Sequence, residues 1–181
     1  RPSAWRPRVR GWLDWHGEVQ AVQHIAGKRP LGRHVDQLEV GEKATFTQRV
    51  EERDVYLYMG LTNDLNPIYV DRDYAQRTDA GEPVVPGILL AAQVVAAITS
   101  ELPGPGTITA HQTFRFVAPA RCGDVLTTEL EVVAVDPEKN RATIKSVTWS
   151  QAGHPILLAE SEVVPPPRLK SVLTHAFEDY D

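Results

Sequence analysis

Ala44, Phe46, Gln48 and Val50 follow the turn signal Val40-Gly41-Glu42 at every second position, the period of a strand with one buried face. From Glu51 to Leu61 the period changes. Val55, Tyr56, Met59 and Gly60 fall at helical spacing, with Glu52 and Asp54 early, where acids favour the positive end of a helix dipole. Thr62-Asn63-Asp64-Leu65-Asn66-Pro67 is turn chemistry, and Pro67 drives Asn66 out of the helical region, so a loop is expected here. Asp71 is suited to cap a short helical turn through Tyr74 and Ala75. The run Gly87 to Leu102 is alanine-rich and apolar almost all round, and Pro103-Gly104-Pro105-Gly106 stops it. A helix of that composition needs burial on nearly every face. Strand-like runs follow at Thr107–Val117, Val125–Val135, Arg141–Gln151 and Ile156–Val164, parted by Gly123-Asp124, Asp136–Asn140 and Gly153-His154-Pro155. The expected class is α+β, one long apolar helix wrapped by an antiparallel sheet. A single sheet covers only one side of the helix, so a second copy of the chain is expected to cover the other.

Composition narrows the picture. The chain has 181 residues, 42% hydrophobic and 24% charged, enough apolar content for a core. Its single Cys rules out an internal disulfide framework and a cysteine-rich zinc site. Val84 to Ile98 is broken by Pro86 and Gln93 and falls short of the roughly 20 residues a membrane span requires. The first fifteen residues mix arginine and tryptophan rather than forming an apolar segment, so no secretion signal is expected and a cytoplasmic location is the default. Residues 1–35 hold seven Lys and Arg against two acids, whereas residues 36–181 hold twelve against twenty-two. The acidic body is a poor nucleic-acid partner. The basic head, with Arg1, Arg6, Arg8 and Arg10 among Trp5, Trp12 and Trp15, has the makings of a stacking or membrane-surface segment. The simpler expectation is an extension packing on the body or on a neighbouring subunit. The expected organisation is an extension over residues 1–30, a domain over 31–167 and a tail over 168–181.

No Gly-rich phosphate loop, paired-histidine metal motif or Gly-x-Ser-x-Gly elbow occurs. The chemistry concentrates in Leu61–Tyr69, where a carboxylate, an amide and a phenol share a constrained turn. Two readings of it stand: a functional cluster, or an Asx-type turn in which Asp64 and Asn66 cap nearby amides.

Five pieces then appear in order: Thr62-Asn63-Asp64-Leu65-Asn66-Pro67-Ile68-Tyr69, Tyr74-Ala75, Pro86-Gly87-Ile88-Leu89, Leu102-Pro103-Gly104, and Phe116-Val117-Ala118-Pro119-Ala120-Arg121-Cys122-Gly123-Asp124. This set resembles the MaoC-like dehydratases, the hot-dog-fold family that includes the (R)-specific enoyl-CoA hydratases, over roughly residues 31–164. The resemblance implies a hot-dog fold, dimerisation, an acyl-CoA substrate with no metal or redox cofactor, and reversible hydration of a trans-2-enoyl thioester to the 3-hydroxyacyl form. In the family an Asp and a His hold the water. The Asp carries over to Asp64; Asn63 stands where the family has Gly, and Tyr69 where it has the His. A tyrosine with an ordinary pKa near 10 needs lowering by about three units to act as a base near neutrality, roughly 4 kcal/mol, so Tyr69 is expected to donate a hydrogen bond.

The helix start at Pro86-Gly87 offers free N–H groups at the positive end of the dipole. The Gly87 amide is thus a candidate donor to the thioester oxygen, an assignment the resemblance also implies. Gly87 equally suits a helix start that relieves crowding, and Pro86 and Ile88 flank the same position as substrate-binding candidates. Arg115, Arg121 and Lys145 are candidates for the phosphates of coenzyme A, against a solvated surface role. His111 is a candidate replacement imidazole, against a surface histidine. Cys122 has no base assigned to it, and His16, His24, His34, His154 and His175 lack metal-ligand spacing. Two other functions remain open: an acyl-CoA-binding or regulatory protein without turnover, and an acyl-CoA thioesterase.

Overall fold

The computed structural model describes residues 27–29, 31–168 and 172–174. The strand β1 (Gly27–Arg29) pairs antiparallel with Val172–Thr174 (β7), in a unit formed by Arg1–Arg29 and Ser171–Asp181. Three residues are too few to display a period, so this ladder carries no sequence signal. The basic head with Trp5, Trp12 and Trp15, together with His16, His24 and His175, lies outside the described residues.

The second unit, Pro30–Lys170, contains the expected α+β architecture. The alternating run at residue 44 becomes β2 (Lys43–Arg49), and the helical-period run becomes α1 (Glu52–Thr62). Asp54 accepts a hydrogen bond from the Glu51 N–H at 3.0 Å, so the early acids serve the helix start. The short helix α2 (Arg72–Ala75) is capped by Asp71, whose carboxylate accepts from the Tyr74 N–H at 3.0 Å. The apolar run forms α3 (Gly87–Ser100). Strands β3 (Ile108–Phe116), β4 (Val125–Asp136), β5 (Arg141–Ser150) and β6 (Pro155–Val164) complete an antiparallel sheet of order β2-β4-β5-β6-β3. The turn signals act as read: Gly123, Asn140 and Gly153 all adopt positive φ between strands.

One face of the sheet packs against α3. Leu126, Leu130, Val132, Ile144, Leu157 and Val163 join Leu90, Val94, Ala97 and Ile98 in the core. Within one chain the helix is not buried all round, in keeping with the expectation that a single sheet covers only one side. Val94, Ala97 and Ile98 are 0% exposed while Ile88 is 59% exposed, because the sheet of one chain reaches only one side. Helix α1 behaves alike: Val55 is buried, whereas Tyr56, Leu57 and Leu61 are exposed.

Leu130 lies fully buried in β4 between β2 and β5. Leu130→Ala is expected to lower unfolding free energy by about 2–5 kcal/mol in chemical denaturation, through lost burial and a cavity.

Candidate active site

Helix α1 ends at Asn63, which takes the left-handed conformation (φ 58°, ψ 23°) and donates its N–H to the Met59 carbonyl at 2.9 Å. Glycine is the usual residue in such a cap, and asparagine is the next best tolerated. The Thr62 hydroxyl steadies the reversal, donating to the Tyr58 carbonyl at 2.7 Å and accepting the Asp64 N–H at 3.2 Å. The chain therefore turns back, and the Asp64 carboxylate meets a side chain of its own preceding helix. The Tyr58 hydroxyl donates to Asp64 Oδ2 at 2.9 Å.

The following turn, Pro67–Tyr69, is a single 3-10 turn closed by Asn66, whose Oδ1 accepts the Ile68 N–H at 3.2 Å. It presents Tyr69, whose hydroxyl donates to the same Asp64 Oδ2 at 3.0 Å. The two rings meet edge to face, centroids 6.3 Å apart and planes at 83°. The loop thus answers the two readings separately. Asn66 is the capping residue of an Asx-type turn, while Asp64 caps no amide and instead receives two phenols.

Burial pushes the Tyr69 phenol up to about 12, and the hydrogen bond and charge of Asp64 add to it, partly opposed by the Asn66 amide. Tyr58 is raised for the same two reasons, burial first and Asp64 second. Both shifts run away from base chemistry near neutrality. They keep the phenols protonated, as hydrogen-bond donors.

The segment before α3 is tied to this turn by the Val84 N–H, which donates to the Ile68 carbonyl at 3.2 Å. Pro86 is buried and no side chain caps the helix start it opens. A Cβ on Gly87 would sit 3.1 Å from the Phe116 ring, so glycine at this position makes room for Phe116. Ile88 is exposed.

Tyr69 and Arg121 line one cleft of about 430 Å³ together with Tyr56, Arg72, Gln76 and Cys122. The Arg121 guanidinium donates to Glu82 and to the Ala80 carbonyl, both at 2.9 Å, tying the 80–82 turn to the end of the segment before β4. Cys122 is no thiolate: burial raises its thiol, and Glu52, Asp54 and Asp124 push it further. The sheet separates the other candidates. Phe114 packs on the core, so strand alternation turns Arg115 to the opposite face, with Lys145 and Glu160. His111 lies opposite Glu162 on that same outer face. Neither it nor Arg115 joins the Asp64 cluster. Among the described residues no group of three His, Cys, Asp or Glu is placed to hold a metal ion, and no helix is long and apolar enough to cross a membrane.

Tyr58 is the residue that the sequence did not reveal. It sits six positions before Asp64, a spacing with no helical meaning, and only the left-handed reversal at Asn63 brings the two together.

Residues 34–152 match the MaoC-like domain family, and the chain belongs to it. It is 35% identical over 135 residues to an (R)-specific enoyl-CoA hydratase of Rhodospirillum rubrum, covering 75% of this chain and 93% of that protein. An (R)-specific enoyl-CoA hydratase of Aeromonas caviae is 34% identical, over 70% of this chain and 94% of its own length. Among solved structures, the unliganded R-hydratase PhaJ1 of Pseudomonas aeruginosa superposes with a TM-score of 0.72 at 40% identity, covering 78% of this chain and 90% of that one. The fold is accordingly the hot-dog fold of MaoC-like proteins.

Spectrophotometric titration of the tyrosines tests the carboxylate's hold on the phenols. One phenol is expected to ionise near pH 12 and a second above the ordinary value, and Asp64→Asn is expected to lower both. Because the folded Tyr69 value lies above the unfolded one, its contribution to stability is full below about pH 10 and is lost as pH rises towards 12.

Proposed function

We propose that this chain is a hydratase–dehydratase that adds water reversibly across the double bond of a trans-2-enoyl-CoA to give the 3-hydroxyacyl-CoA. The observation that carries the reading is the Asp64 carboxylate, held by two phenols in a turn that lies within the matched family domain and resembles the family's Asp-x-Asn-Pro loop. The family and its hydratase relatives make the chain an enzyme of the lyase class.

Asp64 takes a proton from the bound water as the water oxygen attacks the β-carbon. The electron pair of the double bond moves onto the thioester as an enolate, and the carboxyl of Asp64 returns the proton to the α-carbon. The reaction neither oxidises nor reduces the substrate, so it calls for no redox partner, and no metal is assigned to it. Tyr69 stays protonated throughout and orients the carboxylate. The Gly87 N–H, at the positive end of α3, faces the thioester oxygen as negative charge develops there. Pro86 and Ile88 flank that donor. Arg121 remains a candidate for the coenzyme A phosphates, since an ion pair with the exposed Glu82 is weak enough to be exchanged.

A second copy of the chain covers the open side of α3. Ile88, Ile108, Phe116 and Val117 are exposed, and β3 is an edge strand with unpaired backbone groups, features that favour association.

Mass spectrometry of a trans-2-enoyl-CoA series incubated with the purified protein tests the reading. Addition of one water to the intact thioester is expected, with Asp64→Asn slowing turnover by about 10²–10⁴-fold without unfolding the protein. Release of free CoA would point to thioester hydrolysis. Acyl-CoA binding without any product would point to a binding role.

A further inference from the structure

We infer that Tyr58 is a positioning residue: with Tyr69 it fills one oxygen of Asp64, Oδ2, and leaves the other, Oδ1, as the atom that activates water. The inference rests on the hydration reading for its catalytic meaning and on geometry for its substance.

A carboxylate oxygen offers two lone-pair directions. Oδ2 receives two hydroxyl donors, at 2.9 and 3.0 Å, and both directions are taken. No donor among the described residues reaches Oδ1, so that oxygen alone has room for a water proton. The phenols also tether the carboxylate at one oxygen from two anchors. They come from different elements, α1 and the Pro67–Tyr69 turn, and their rings meet edge to face at 83°, so Oδ2 is held from two independently anchored side chains. One donor would leave the carboxylate free to swing about its bond; two from separate anchors fix it.

Each anchor is itself held. Tyr58 sits on helical backbone whose carbonyl accepts from Thr62, and Tyr69 sits on a turn capped by Asn66. The pair supplies what Tyr69 by itself cannot: two neutral donors on one oxygen, where the family pattern has a single imidazole beside the carboxylate. Neither phenol competes for the water proton, because both are held above their ordinary ionisation range.

The decisive variant is Tyr58→Phe, which keeps the ring and removes the hydroxyl. With trans-2-enoyl-CoA as substrate, kcat is expected to fall by about ten- to a hundredfold while KM stays within about twofold, the pattern of a group that acts only on the reacting carboxylate. Phenol titration provides a readout independent of turnover. Asp64→Asn is expected to lower the ionisation of two tyrosines, and Asp64→Asn made in the Tyr58→Phe background that of one. A Tyr58→Phe enzyme with wild-type kcat would overturn the inference, as would the same number of shifted phenols in both backgrounds. If the wild-type protein turns over no enoyl-CoA, the hydration reading falls, and the phenol count still decides whether Tyr58 holds Asp64.

Discussion

The one-sided burial of α3 against the antiparallel sheet is the constraint on which the rest depends. A helix with Val94, Ala97 and Ile98 completely shielded cannot shift without opening the core, so its N-terminus is a fixed point. Two backbone hydrogen bonds extend that fixity. The Val85 N–H donates to the Ala120 carbonyl and the Val84 N–H to the Ile68 carbonyl, which ties the helix entrance to the strand boundary on one side and to the Tyr69 turn on the other. The rigid core thereby positions loops that contribute little apolar burial of their own.

Within those loops the organising chemistry is the satisfaction of one carboxylate. A half-buried charge is costly unless donors meet it, and hydrogen bonds to an ionised group are stronger than neutral ones. Two phenols meet that need while bringing no charge of their own. The environment that burdens their ionisation is the same one that keeps them useful, since a deprotonated phenol would repel Asp64. A second polar economy operates at Arg121, which holds the 80–82 turn through a carboxylate and a carbonyl yet keeps its position on the cleft.

Much of this could be read along the chain. Asp71 and Asn66 declared themselves as caps because Asx residues before a short turn have few other places for their oxygens. Asn63 stood where a glycine is usual, and its left-handed φ explains both residues at once. For Arg115 the sequence supplies the strand but not the face, which follows from the alternating set, here that of Phe114, that packs on the core. Tyr58 was missed because its link to Asp64 crosses a helix end, where linear spacing stops mapping onto distance.

The sequence by itself determined the order of elements, the antiparallel class and the turns, because each follows from local periodicity or backbone preference, while Asp64 stood out only through the resemblance to a family pattern. Tertiary structure alone decided which face of each strand meets α3, and that two tyrosines eleven residues apart converge on a single oxygen of Asp64. Those outcomes depend on chain reversal and packing between separate elements, and such distances are set in space, with no trace in the spacing of residues.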